Sequence, residues 1–150
     1  MNESKQLEIN DVIEFANQNP VTWLATVEDK TPHVRGMLMW FADETGFYYH
    51  TASIKSLAKQ IEQNGAVEAA FHSSNGQLGD SKMLRVNGTA EFVNDKELEK
   101  RLYEERPWVL ANKSVMPDTE VFIFRIHKGT CHFWDMSSNG KESAAPRVKF

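Results

Sequence analysis

Apolar and polar residues alternate along most of this chain, and a period of two predicts strands with one buried face. A first strand is predicted over Thr22 to Glu28, a second over Pro32 to Phe41 and a third from Gly46, with short polar turns between them. Later strands are predicted over Ala66 to His72, Lys82 to Val93, Val121 to His127 and Thr130 to Met136. Lys128 and Gly129 are interpreted as the turn between the last two strands.

Three other segments carry apolar residues at helical spacing. They are Leu7 to Asn19, the second half of Gly46 to Asn64, and Lys96 to about Glu105, which Asn94-Asp95 can cap. Trp108 to Asp118 is interpreted as a surface excursion with helical turns, and residues 137–150 as a flexible end. Because the helices come singly between runs of strands, the pattern predicts a mainly β protein rather than an alternating α/β one. We expect one domain over residues 1–150, a small and mostly antiparallel barrel with peripheral helices.

Composition narrows the class of protein. The 150 residues carry a formal net charge of −4, which argues against general attraction to nucleic acid or to an anionic membrane. The single cysteine, Cys131, excludes a disulfide within the chain. No apolar run approaches the roughly 20 residues that span a bilayer, and the polar N-terminus shows no secretory signal. We therefore expect a soluble cytoplasmic protein.

The stretch Gly46 to Asn64 joins a strand to a helix through a turn rich in hydroxyl groups. Thr51, Ser53, Lys55 and Ser56 all lie in this turn. A cation near a helix N-terminus opposes the macrodipole, at a cost of about 0.3–1 kcal/mol, unless an anion also binds there. The turn is therefore a candidate phosphate-binding site, and the alternative is a solvated turn with exposed lysines.

Arg35 interrupts the apolar second strand and requires an anionic partner or an exposed edge. The period of two places His33, Arg35, Met37 and Met39 on one face of that strand. Arg35 and Lys55 can converge on one phosphate, the arginine as a bidentate fork and the lysine as a point charge. The two methionines would then offer thioether surface to a flat aromatic ligand. The alternative is an outward-facing arginine whose stem packs on the sheet.

No motif for autonomous catalysis occurs in the sequence. HExxH, CxxC, GxSxG, Walker A and GxGxxG patterns are all missing. Cys131 and His132 are adjacent on a predicted strand, so their side chains point to opposite faces and are poorly placed to chelate one metal ion. We expect no metal site and assign any chemistry to a cofactor. The catalytic residue is unknown; His50 is a candidate acid or base, with a structural role as the alternative.

Four segments, taken in order, resemble the FMN-binding split-barrel family related to pyridoxamine 5′-phosphate oxidase. They are TWLATVEDKTPHVRGMLMWF, GFYYHTASIKSLAKQIEQNGAVEAAF, MLRVNGTAEFVND and CHFWDMSSN. The chain is most similar to small stand-alone members, some of them grouped with nitroimidazole-resistance proteins. The resemblance implies a six-stranded antiparallel split β-barrel that works as a homodimer, with two FMN molecules at the subunit interface.

The resemblance also implies a cofactor site built by both subunits. On one subunit it implies Arg35, Thr51, Lys55 and Ser56 at the FMN phosphate, Gly36 and Met37 beside the isoalloxazine ring, and His50 next to Thr51. From the neighbouring subunit it implies Lys82, Met83 and Trp134, of which Trp134 packs against the flavin. Trp40 stands where pyridoxamine-phosphate oxidases use a lysine for substrate phosphate, and the arginine-and-histidine motif expected after Trp134 is absent. These departures argue against vitamin B6 oxidation.

The leading hypothesis is therefore a homodimeric FMN-binding oxidoreductase whose substrate is unknown. A second hypothesis keeps the fold but removes turnover, leaving a flavin-binding carrier or redox sensor. A third changes the ligand, because some relatives bind the deazaflavin F420 or haem. Neither a nucleic-acid nor a membrane partner is expected.

Overall fold

The computed structural model describes residues 6–150, apart from the side chain of Leu78. The helices are α1 Ile9–Gln18, α2 Ser56–Gln63, α3 Lys96–Glu105 and α4 Pro107–Val115. The strands are β1 Val21–Glu28, β2 Thr31–Leu38, β3 Phe41–Asp43, β4 Gly46–Ala52, β5 Ala66–Ser73, β6 Lys82–Val93, β7 Val121–Asp135 and β8 Val148–Lys149. No helix in this part of the chain is long and apolar enough to cross a lipid bilayer.

The strands form one antiparallel sheet in the order β2-β1-β5-β6-β7-β4-β3, and β8 pairs with Thr130 and Cys131 of β7. The sheet curls but does not close, since β2 and β3 stand at its two ends. Six of the strands have seven residues or more, whereas β3 has three and β8 has two. The predicted six-stranded antiparallel split barrel with peripheral helices is confirmed.

The second predicted strand is interrupted. Pro32 to Phe41 was expected to be continuous, but β2 ends at Leu38 and β3 begins at Phe41. Between them the amide of Met39 donates to Pro20 and the amide of Trp40 donates to Tyr48, each at 2.8 Å. The chain thus leaves one end of the split sheet at Met39 and joins the other end at Trp40.

The predicted turn at Lys128 and Gly129 is wrong, because β7 runs through these residues without reversing. Pairing with β6 continues on both sides, from Thr130 opposite Asn87 to His127 opposite Thr89, with an irregularity between them. Lys128 adopts a positive φ of 52°, and a Cβ on Gly129 would lie 1.7 Å from the carbonyl oxygen of Asn87. The Lys-Gly pair is therefore a bulge that bends the long antiparallel pair of β6 and β7.

The core lies inside the barrel and beneath α1. Its largest fully buried side chains include Tyr49, Phe47, Phe71, Phe124 and Leu24. A second, smaller cluster attaches α3 and α4 to the outside of the sheet through Leu102, Val109, Tyr48 and Ile123.

The two helices α3 and α4 meet at Arg106. Asp95 caps α3 as expected, accepting bonds from the amides of Glu97 and Leu98 at 2.9 and 3.1 Å. The expected surface excursion after Pro107 is helical up to Val115, with the proline in the first turn, where its missing N–H costs nothing.

The C-terminal segment lies against the barrel. Strand β8 pairs with β7, and the ring of Phe150 packs edge-on against Phe47 with centroids 5.1 Å apart. Glu142 accepts a hydrogen bond from Arg85 at 2.9 Å and lies 2.8 Å from His132 Nε2. The flexibility of residues 137–150 in solution stays a prediction.

Candidate functional site

A cavity of about 290 Å³ lies between the end of β4, the start of α2 and helix α4. His50, Thr51 and Lys55 line it from the strand and the turn. The α4 side is lined by Trp108, Val109, Asn112, Lys113 and Met116. Among the described residues that line this cavity, none carries a carboxylate. In a chain of net charge −4, a cavity with two lysines and no acidic group is suited to an anion.

Thr51 supplies the clearest indication that the cavity suits a hydrogen-bond acceptor. The residue is 4% exposed, and its hydroxyl has no hydrogen-bond partner among the described residues. A buried hydroxyl without a partner costs free energy, whereas an acceptor oxygen in the cavity would satisfy it. The residues of this cavity therefore fit the phosphate of a nucleotide-like cofactor.

The start of α2 has the charge pattern expected from the sequence. Lys55 is the N-cap residue, its side chain makes no capping bond, and the first turn contains no acidic residue. Lys55 and Ser56 are both exposed. The free amides at this end and the lysine can therefore bind an anion without displacing an internal ion pair.

His50 is half-buried in the same cavity. Its burial, reinforced by the positive charges of Arg106 and Lys55, lowers its pKa to about 4. The imidazole is therefore neutral at pH 7, and a protonated His50 is not available there as a general acid.

Arg35 shares one face of β2 with His33 and Met37, as the strand pattern predicts, but its guanidinium is bonded to protein groups. It donates to Thr26 Oγ1 at 2.8 Å, to Gln60 Oε1 at 2.6 Å and to the carbonyl oxygen of Leu24 at 3.3 Å. Gln60 comes five positions after Lys55 on α2, about 7.5 Å along the helix axis. Arg35 is not among the residues that line the cavity described above.

Gly36 and Met37 lie beside Arg35 on opposite faces of β2. A Cβ on Gly36 would lie 3.7 Å from the ring of Trp23, which covers that position on the outer face. Met37 is partly buried against the core. On the same outer side of the sheet, Val21 of β1 and Val34 and Leu38 of β2 are also exposed.

The three residues expected to act from the neighbouring subunit lie on β6 and β7. Met83 pairs directly with Trp134, and both are half-buried. The ammonium of Lys82 lies 4.1 Å from the ring centroid of Phe133 and 5.6 Å from that of Phe15. Whether these side chains reach a ligand on a second copy stays a prediction.

Cys131 and Trp40 are two further residues that the sequence singled out. Burial raises the pKa of the Cys131 thiol to about 12, so a nucleophilic thiolate is not present at neutral pH. Within residues 6–150, no three His, Cys, Asp or Glu side chains gather into a group that could hold a metal ion. Trp40, which stands in place of a lysine, donates from its indole to Glu105 at 2.7 Å.

Two residues near the site were missed by sequence reasoning. Gln60 is 2% exposed and bonds Arg35, and its position between Leu57 and Ile61 on the buried face of α2 could have signalled that role. Arg106 is 7% exposed and donates to the carbonyl oxygen of Met39 at 2.7 Å. No local pattern marks Arg106, since its partner lies far away in the sequence.

Residues 9–133 match the sequence profile of the pyridoxamine 5′-phosphate oxidase family. The match covers most of the chain, so this protein belongs to that family. A comparison with curated protein sequences finds no match.

Solved structures share the fold at low sequence identity. A NimC/NimA family protein from Clostridium acetobutylicum is 23% identical with a TM-score of 0.71, over 88% of this chain and 91% of that one. A FAD-binding protein from Mesorhizobium loti is 18% identical with a TM-score of 0.62, over 83% and 92%. HutZ, the heme storage protein from Vibrio cholerae, is 19% identical with a TM-score of 0.61, over 87% and 94%. At these identities the likeness establishes the fold.

Proposed function

We propose that this protein is an FMN-binding oxidoreductase that works as a homodimer. The observation that carries the proposal is the cavity in which Lys55 and the unpartnered hydroxyl of Thr51 lie together without a carboxylate. Family membership and a FAD-binding structural relative support a flavin as the group that fills it. The substrate is not assigned.

The protein groups bind and orient, and FMN supplies hydride or electron transfer when bound. Lys55 and the α2 amides attract the phosphate, and Thr51 donates to one of its oxygens. Arg35, bonded to Gln60, stiffens the contact between β2 and α2 and keeps Gly36 and Met37 in place for the ring. Ser56 is exposed beside Lys55 and can donate to the same phosphate.

The homodimer proposal is supported by an apolar surface on the outer face of β1 and β2. Val21, Trp23, Val34 and Leu38 are 67%, 59%, 65% and 48% exposed. The register places Val21 opposite Leu38 and Trp23 opposite Gly36, so these side chains form one contiguous patch. A second copy on this patch would remove a large apolar area from water.

A flavin carrier or redox sensor without turnover is the second candidate. It is favoured by the neutral state of His50, because the other described residues that line the cavity include no histidine, cysteine or carboxylate. Steady-state reduction by NADH or NADPH, followed by oxidation with O₂, a nitroaromatic or a quinone, separates the two. F420, or the haem suggested by the heme storage relative, replaces FMN as the candidate ligand if the flavin test fails.

The test of cofactor binding starts with the absorption spectrum of freshly purified protein and continues with a fluorescence titration of added FMN. We expect either the visible bands of an oxidised flavin or quenching that saturates near one FMN per chain. The double variant Thr51→Val, Lys55→Gln should weaken FMN binding by more than tenfold, because two donors to the phosphate are lost. Lys30→Gln, on the exposed turn before β2, is the matched control. A colourless wild-type protein that does not bind added FMN would overturn the proposal.

The test of the homodimer is sedimentation of the wild type and of Trp23→Glu. The wild type should sediment as a dimer and the variant as a folded monomer, because a carboxylate on the patch would be buried without a partner. Val115→Glu, at an 80% exposed position on α4, is the control that should stay dimeric. A monomeric wild type would overturn this part of the proposal.

A further inference from the structure

Helix α4 lines one side of the cavity that contains Thr51 and Lys55. We infer that α4 forms the second wall of the anion site, with Lys113 as its second cation and Asn112 as a further hydrogen-bond donor. The inference rests on the proposed function and extends it to residues that neither the sequence patterns nor the family resemblance marked. The ligand class is a phosphomonoester.

The lining of the cavity is the first argument. None of the described residues that line it is acidic. Lys55 lies at the start of α2 and Lys113 on α4, so the two lysines line the cavity from different elements. Lys113 is half-buried and also borders a neighbouring cavity lined by four carboxylates, but it forms no ion pair with a described carboxylate. A lysine in this state keeps its charge available for a ligand. An anion between the two walls would be held by a cation on each side.

The second argument is the unpartnered hydroxyl opposite α4. Thr51 is 4% exposed and lacks a hydrogen-bond partner among the described residues, although its hydroxyl could bond the phosphate that Lys113 attracts. This observation does not depend on charge. It indicates that the cavity is built for an acceptor oxygen at the β4 wall.

The third argument is that Arg35 is already engaged. Its guanidinium is held by Gln60 and Thr26 at 2.6 and 2.8 Å, and both partners are almost fully buried. Turning Arg35 to a phosphate would leave two buried acceptors with fewer bonds. Lys113 has no such cost, so it is better placed than Arg35 to be the second cation.

The position of α4 is fixed by contacts outside the cavity. Arg106, immediately before the helix, bonds the carbonyl oxygen of Met39, and Val109 is 5% exposed in the cluster with Leu102 and Tyr48. These contacts keep the first turns of α4 against the sheet. Lys113 and Asn112, one turn later, then face the cavity from a rigid support.

The test measures FMN and riboflavin affinity for Lys113→Gln, Asn112→Ala and Lys113→Arg. We expect Lys113→Gln to weaken FMN binding about tenfold and Asn112→Ala a few-fold, with riboflavin affinity unchanged because riboflavin lacks the phosphate. Lys113→Arg should restore most of the affinity. Lys100→Gln, an exposed lysine on α3, is the matched control and should bind FMN like the wild type.

The outcomes separate this inference from the proposed function. If wild type binds FMN but Lys113→Gln and Asn112→Ala bind it equally well, the inference is wrong and the proposed function stands. If wild type does not bind FMN, the proposed function fails, and a titration with inorganic phosphate followed by amide NMR decides the inference. Shifts at Asn112, Lys113 and Thr51 would support an anion site for another phosphomonoester, and their absence would overturn it.

Discussion

The guanidinium of Arg106 holds the backbone carbonyl of Met39, with Nη2 and the oxygen 2.7 Å apart in a buried position. This bond joins the start of α4 to the segment where the chain crosses from one end of the split sheet to the other. Nη1 reaches the neighbouring carbonyl of Leu38 at 3.3 Å. One side chain thereby ties the α3–α4 junction to the end of β2 and to the crossing segment that follows it.

Arg106→Met should lower the free energy of unfolding by about 2–4 kcal/mol, because a buried carbonyl loses its donor. Arg106→Lys keeps the charge but not the fork, so its loss should be smaller. Chemical denaturation of the variants measures both values. Arg101→Met is the comparison: this exposed arginine pairs with Glu105 on α3 and lies 5.1 and 4.3 Å from the ring centroids of Trp40 and Phe41. Its loss should be about 1 kcal/mol. Equal losses at Arg106 and Arg101 would contradict the structural role.

His50 should make the protein sensitive to mild acid. Its folded pKa is about 4, below its ordinary value, because of burial and then of Arg106 and Lys55. As the pH falls below about 6.5 the unfolded chain binds a proton at this residue while the folded protein does not, so stability falls until about pH 4. The loss should be about 1–2 kcal/mol after allowance for solvent screening of the half-exposed ring.

The measurement compares denaturation of the wild type and His50→Gln at pH 7 and pH 4.5. Glutamine has no proton to gain, so the variant should lose less stability between the two values. Glu105 and Glu142, whose pKa values are lowered mainly by hydrogen bonds from Arg101 and His132, titrate in both proteins and cancel. Parallel pH profiles of stability for the two proteins would show that the pKa of His50 is not lowered in the folded state.

Gln60→Ala should destabilise the protein by about 1–3 kcal/mol. The amide oxygen accepts from Thr26 at 2.7 Å and from Arg35 at 2.6 Å, so its removal leaves the buried Thr26 hydroxyl without its acceptor and takes one of the acceptors of Arg35 away. Gln63→Ala, at an exposed position on the same helix, is the matched control and should change stability by less than about 0.5 kcal/mol. A neutral Gln60→Ala would mean that Arg35 finds another acceptor.

Gly129→Ala should be among the most damaging single substitutions. The new methyl group would lie 1.7 Å from the carbonyl oxygen of Asn87 and 2.6 Å from the Cα of Gly88. We expect a loss of more than about 3 kcal/mol, measured by thermal or chemical unfolding. Gly79→Ala meets nothing within 4 Å and should be nearly neutral. If both variants unfold alike, β6 and β7 do not approach as closely as described.

The bulge at Gly129 also shows where sequence reasoning about the fold ends. A Lys-Gly pair after an alternating run has the same local pattern whether the chain reverses or merely bends. The long-range pairing of β7 with β6 decides between them, and a single sequence does not display that pairing. The strand and helix periods, by contrast, are local and were sufficient for the barrel class.

The candidate site also combines residues that local sequence patterns predict with residues that only the tertiary structure brings together. The turn with Thr51 and Lys55 was predicted from residue types within a short stretch, and the structure places both in one cavity. The convergence of Arg35 with Lys55 on one phosphate depends on tertiary geometry and stays a prediction, and in the structure the guanidinium donates to Gln60. The α4 wall could not be anticipated, because nothing in a short segment indicates which side of a helix will face a distant strand.

The long antiparallel pair of β6 and β7 runs from Lys82 opposite Asp135 to Val93 opposite Ile123 and lies in the middle of the sheet. Strands β5, β1 and β2 attach through β6, whereas β4 and β3 attach through β7. Separating these two strands exposes the aromatic interior to water on both sides at once. Neither half of the barrel should therefore unfold independently of the other. Amide protons in the middle of β6 and β7 should exchange with solvent only when the whole molecule unfolds.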